Sequence, residues 1–413
     1  MTDARLVTTP ADHHASADDL PMLTKKELEA DPHGVFRAYR MSHSLVRHEV
    51  GGYVVLRFAD IERLSRDPRC RASGTAFPEI RGVREGALFD TFEHGMLTAN
   101  GEVHRRRRSP FSTAFAHRTI SLLRSTIRHG AEELVDGWHD DGKTELVEHF
   151  AAQLPARIIS DLLGLPREDI PAFTKLVYEV TRFFSLAVAE DELPGLEAAM
   201  RQLKGYVEET LDDRRREPRE DFLSTFLAAA DAAGEMSPIE IIFQIVGLII
   251  GGTDTTRVAI VTQVALLLQH PLQWTAVVRD AGLVPAAVAE ALRFEPSVAS
   301  IIRVTSQDIE VGGVVLPEGA FITLSTMSAM RDEAVYDHPD VFDISRTKRP
   351  RIHPIFGSGA HRCLGEALAL AELEESLAVL TQRIPQLRLD QAPEIIGASG
   401  IRRVNAMRVS WQV

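Results

Sequence analysis

Cysteine is nearly absent from this chain: 413 residues contain two, Cys70 and Cys363. Two thiols cannot build a disulfide framework, and such a low number suits a reducing compartment. Positive charge is also in deficit, with 46 Lys and Arg against 59 Asp and Glu and a formal net charge of −13, which argues against general nucleic-acid binding. Aromatics make up only 6% of the chain. No stretch of ~18 or more uncharged apolar residues occurs, and "IIFQIVGLIIGG" soon meets Asp254 and Arg257, so no membrane anchor is expected. The opening "MTDARLVTTPADHHASADDLP" lacks the basic and apolar regions of a signal peptide. Residues 1–20 are expected to form a disordered polar tail with a solvated His13–His14 pair, and the protein is expected in the cytoplasm.

What remains, 45% hydrophobic and 25% charged residues, is the composition of a globular protein able to bury a sizeable core. "LVRHEVGGYVVLRF" reads as a β-hairpin turned at Gly-Gly. From Asn100 to about Pro296 the periodicity is helical, and short β-like segments such as "IEVGGVVLPEGAFITLS" follow before a last helix, "GEALALAELEESLAVLTQRI". No repeat or linker divides the chain, so residues 21–413 are expected to form a single domain, mainly α with a small β-rich side. The longest helix should start at "SPIE", where Ser237 caps, Pro238 takes the first position and Glu240 completes a capping box, and run to about Gln269. Inside it lies "GGTDTT", residues 251–256, whose glycines, Asp and hydroxyls weaken a buried helix, so folding stability does not account for it.

Three motifs carry chemistry. In "FGSGAHRCLG", glycines surround Cys363 and two basic residues precede it. Glycine allows close backbone approach, and neighbouring charge and N–H groups favour thiolate. With no cluster of further Cys and His ligands for zinc, one thiolate on such a loop suits an axial ligand to haem iron. In "EALRFEP", Glu290 and Arg293 can pair on one helix face, a pattern more common on solvated surfaces. In "VHRRRRSPF", His104 and Arg108 share a helix face while Arg105, Arg106 and Arg107 spread around it; a solvated face is the ordinary reading, and binding to carboxylates the alternative.

Together these motifs resemble the cytochrome P-450 superfamily: "FGSGAHRCLG" its cysteine-ligand loop, "GGTDTT" its oxygen-activation segment, "EALR" its Glu-x-x-Arg helix, and "FDISR" the meander whose Arg346 joins Glu290 and Arg293. The resemblance implies haem b with Cys363 as proximal ligand, Phe356 packed beside it, and Gly359 and Gly365 letting N–H groups reach the sulfur. It implies propionate binding by His361, Arg303, His104 and Arg108. On the distal side, Gly251 and Gly252 would kink the helix, Thr255 would bond the oxygen being activated, and Asp254 would admit protons. Pocket positions would be Gly247, Leu248, Gly251, Val298, Ala299 and Ile401, with Phe183 and Phe184 as lid residues; the segment from Thr75 to Leu97 carries no readable pattern.

The implied activity is a monooxygenase, expected to be a monomer, acting on a small hydrophobic substrate. Electrons would come from NAD(P)H through a separate reductase and ferredoxin docking at Arg105 and Arg362. A peroxygenase or haem-thiolate isomerase, and a non-enzymatic haem sensor, are the alternatives; the sensor would not need the Asp254–Thr255 relay.

Overall fold

The computed structural model describes residues 17–116, 120–184, 188–346 and 351–413; His13–His14 and most of the expected tail lie outside them. Ala17–Asp19 form a 3₁₀ turn and Leu20 is buried, so the fold takes in the end of the stretch expected as tail.

The central helix spans Pro238–Gln269. Its start follows from the local sequence: Ser237 Oγ accepts from the Glu240 N–H, and Glu240 Oε2 accepts from the Ser237 N–H at 2.8 Å. It packs against helices Gln153–Leu163, Leu193–Arg216, Val284–Phe294 and Glu366–Arg383. Long and apolar enough to cross a membrane, it is instead the core helix of the domain. Its Ile241–Ile250 half belongs to one apolar cluster and its Ala259–Leu267 half to another. Residues 251–258, the "GGTDTT" segment and its continuation, fall between the two cores. The helix is continuous through both glycines, where a kink was expected. Gly252 has a packing role, because a Cβ there would lie 2.5 Å from Ile159 Cδ1, whereas a Cβ on Gly251 or Gly247 would meet open space.

The β side is mixed. The expected hairpin, Leu45–His48 with Tyr53–Val55, turns at Gly51 and Gly52, both at positive φ. Phe321–Leu324 pairs parallel to its second strand, and Ile301–Thr305 pairs antiparallel to Phe321–Leu324. Strands far apart in sequence thus build one six-stranded sheet, with Arg303 on its fifth strand, Ile301–Thr305. The segment from Thr75 to Leu97 contains two helices, Ala76–Ile80 and Ala87–His94.

Candidate active site

The cysteine loop is a tight set of turns leading into Glu366–Arg383. The Cys363 N–H donates to Phe356 O at 2.7 Å, and Phe356 is buried beside it. Gly357 is needed for close approach: its φ is +72°, and a Cβ would stand 3.2 Å from His361 O. The Gly365 backbone, beside Cys363, acts to lower its thiol pKa. Gly359 has a different role: at φ +64° its carbonyl accepts from the Arg362 N–H in a 3₁₀ turn. The expectation of a lowered thiol pKa also needs correction. Burial raises it, and the Gly365 N–H, Arg108 and Arg362 oppose that rise without reversing it. The residue is nonetheless exposed.

Four basic groups from three segments gather near this thiol. The His104 and His361 ring centroids are 4.1 Å apart, and Arg108 Nη2 donates to Arg362 O at 2.7 Å. Arg303 is 7% exposed and donates to Ile302 O. Burial, His104, Arg303 and Arg108 push the His361 pKa down to about 3. Burial and Arg108 lower that of His104. Among the described residues no Asp or Glu forms an ion pair with any of the four. A buried guanidinium without an anion is costly, so this set fits a ligand bearing carboxylates, as the haem propionates are.

Across the central helix, Gly247, Gly251 and Thr255 lie four residues apart on one face and are more exposed than most of their neighbours. Thr255 Oγ1 donates to Gly251 O at 2.9 Å. Asp254, expected to admit protons, is 2% exposed, and its Oδ1 is bound by Arg257 Nε at 2.8 Å and by Nη2. The Arg257 guanidinium lies 4.0 Å from the centroid of the Tyr178 ring. Ile401 and Val298 form an isolated antiparallel bridge, each partly exposed with Leu248. Ala299 is fully buried with Leu23, Phe36 and Val46, so it lines no open space. Phe183 is buried and Phe184 half-buried.

The Glu-x-x-Arg pair is internal, not a surface pair. Arg293 binds Glu290 through Nε at 2.8 Å and Nη2 at 2.7 Å, and Arg346 Nε joins Glu290 at 3.0 Å. The remaining guanidinium groups donate to carbonyls of Met330, Pro339 and Val341 and of Asp337, His338 and Val341. The arginine run divides its work. Arg105 is exposed and pairs with Glu102, while Arg106 and Arg107 both bind Glu240. Arg362 is exposed and pairs with Glu366. Sequence reasoning missed the half-buried Glu295, which His33, Arg331 and Arg402 surround; its partners lie far apart in the chain. The Glu of "FEP" was the available signal.

A thiol on a glycine-shaped loop, flanked by basic groups without an acidic partner among the described residues, fits a haem-thiolate protein. The cytochrome P450 family model matches residues 76–384, and the chain belongs to this family of haem b monooxygenases. It is 41% identical over 410 residues to the plant-inducible cytochrome P450-pinF1 of Rhizobium radiobacter, covering 99% of this chain and 96% of the relative. It is 32% identical over 372 residues to the mycinamicin IV hydroxylase/epoxidase of Micromonospora griseorubida, covering 87% and 91%. Among solved structures, P450BioI in complex with an acyl carrier protein bearing hexadec-9Z-enoic acid superposes with a TM-score of 0.85 at 27% identity, covering 94% of this chain and 100% of that one.

Proposed function

We propose that this P450 inserts one oxygen atom into a C–H or C=C bond of a small hydrophobic substrate, with Cys363 as haem ligand and ferredoxin as electron donor. Balance requires dioxygen, two electrons and two protons, the second oxygen atom leaving as water. NAD(P)H, a reductase and a ferredoxin docking near Arg105 and Arg362 would supply the electrons. The unpaired base cluster beside Cys363 carries the reading, because it asks for an acidic ligand beside that sulfur. Relatives named as a hydroxylase/epoxidase and an epothilone C/D epoxidase support the reaction class.

Haem, when bound, supplies the activation of dioxygen. The Gly365 N–H stabilises negative charge on the Cys363 sulfur. His104, Arg108, Arg303 and His361 would hold the propionates of a bound haem through charge-assisted hydrogen bonds. Thr255 Oγ1 can turn its proton from Gly251 O toward the open side of the helix. Asp254 can pass protons only after its carboxylate leaves Arg257. Leu248, Val298 and Ile401 offer apolar surface for the substrate, and Gly247 and Gly251 leave room beside them.

The reduced protein with carbon monoxide should give the strongly red-shifted Soret band of a thiolate-bound haem, and Cys363→Ala should lose it. A Cys363→Ala protein that keeps the band sinks the ligand assignment. Turnover that proceeds on peroxide alone and gains nothing from NAD(P)H, ferredoxin and reductase favours the peroxygenase alternative.

A further inference from the structure

A cleft of about 860 Å³ opens at the surface between helix Pro32–Ser42 and residues 332–341, and Arg57 also lines it. None of its lining residues belongs to the Cys363 site or to the positions expected around the substrate. Three arginines and three acids face this cleft, and they are unevenly paired. Arg37 Nη1 donates to Asp340 Oδ2 at 3.0 Å, and Arg40 binds Glu333 through Nε and Nη2, both at 3.0 Å. The third acid, Asp332, is held by backbone: Oδ2 accepts from the Phe58 N–H at 2.8 Å and Oδ1 from the Ala334 N–H at 3.0 Å. Arg57 is the guanidinium left over. Its Nε reaches Arg40 O at 3.4 Å, and its Nη1 and Nη2 meet no acceptor among the described residues.

The walls of the cleft are fixed by the protein itself. His338 stands at φ +47°, a conformation costly for a residue with a Cβ, and its carbonyl is held by the Val341 N–H and by Arg346 Nη2, each at 3.0 Å. Arg293 Nη1 holds the next carbonyl, that of Pro339, at 2.7 Å. On the opposite wall Arg40 donates to Ser328 O at 3.1 Å and to Arg331 O at 2.7 Å. A wall already ordered loses little freedom when a ligand arrives. Met41 is 76% exposed and Val341 54%, so two apolar side chains stand bare in the lining that contains the spare guanidinium.

We propose that this cleft is a binding site for an organic monocarboxylate, with the carboxylate on Arg57 and the apolar body on Met41 and Val341. A planar carboxylate matches the parallel N–H donors of a guanidinium fork. Only one cation is spare, and Glu333 and Asp340 already bring negative charge to the cleft, so a single charge is accepted better than a phosphate dianion. The volume suits a small organic molecule, and covering Met41 and Val341 removes apolar surface from water. The site needs neither haem nor the monooxygenase reading.

The test uses the haem-loaded protein with 4-phenylimidazole added to occupy the iron, and 4-benzoylbenzoate, a carboxylate with a photoreactive apolar body, as probe. Irradiation should label Met41 or Val341, located by peptide mass mapping, and excess 2-naphthoate should protect both. Arg57→Gln should reduce this labelling, and the calorimetric affinity for 2-naphthoate, by roughly 10- to 100-fold. Arg57 precedes helix Phe58–Leu64 without capping it through its side chain, so the substitution leaves that helix start intact. Met41→Glu, which puts a like charge on the exposed rim and keeps Arg57, should weaken binding as well. The neutral 4-benzoylbenzamide should label wild type no better than the acid labels Arg57→Gln. Equal labelling by acid and amide, labelling that ignores both substitutions, or labelling confined to other parts of the chain would overturn the site. A protein that takes up no haem would instead count against the Cys363 reading, and the labelling would still decide the cleft.

Discussion

Two charge clusters in this molecule each contain two arginines and have opposite balances. Around Glu290, one carboxylate is met by Arg293 and Arg346, and the spare guanidinium groups find backbone carbonyls. Around His361, two imidazoles and two guanidinium groups converge without an acid among the described residues. The first is complete within the protein and holds the meander to the helix Val284–Phe294. The second is incomplete, and desolvated cations left without anions mark where a ligand supplies the missing charge. Burial alone therefore does not separate scaffold from site; charge balance does.

Breaking the complete cluster should have the largest effect. Glu290→Ala strands two guanidinium groups and should cost about 3–5 kcal/mol of stability, read as a large fall in denaturant midpoint or failure to accumulate folded protein. An unchanged midpoint would remove the cluster from the scaffold.

The incomplete cluster should respond the other way. Arg303→Met removes an unpaired buried cation, so the haem-free protein should unfold no more easily than wild type. Haem affinity should drop by roughly 10- to 100-fold, the worth of a charge-assisted hydrogen bond of about 1.5–3 kcal/mol. Haem transfer to apomyoglobin measures the second effect and thermal unfolding of the haem-free protein the first.

Glu372 sharpens the contrast from the acidic side. It is 1% exposed, its Oε2 has no hydrogen-bond partner, and burial raises its pKa well above the ordinary 4.5. The folded protein therefore binds this proton more tightly than the unfolded chain, and the stability it confers at low pH is lost as pH rises above 4.5 toward the raised value. Glu372→Gln should flatten that decline, leaving the variant more stable than wild type at pH 8 relative to the same comparison at pH 5. Parallel pH–stability curves for the two proteins would refute it.

The smallest effect belongs to the exposed Arg105, paired with Glu102. Arg105→Glu should slow ferredoxin-supported reduction severalfold at low salt and lose its influence above ~0.5 M, where charges are screened within a few ångströms, while substrate binding holds. Reduction kinetics that ignore both the substitution and salt would remove Arg105 from the docking surface.

The sequence by itself determined the features whose causes lie within a few residues. The Ser237–Glu240 capping box set where the central helix begins, the Gly51–Gly52 pair turned the hairpin, and "GGTDTT" stood out because its residues suit a helix poorly. The glycines about Cys363 gave the ligand loop, and the spacing of Glu290 and Arg293 gave their pairing. Only the tertiary structure decided how charges from distant segments balance. It turned Arg106 and Arg107 inward onto Glu240, captured Asp254 with Arg257 on the face of Tyr178, raised the Cys363 thiol by burial, and capped Ala87–His94 with Glu197. Helix caps and turns act over one or two turns of backbone, whereas desolvation and ion pairing depend on which surfaces the whole fold brings together.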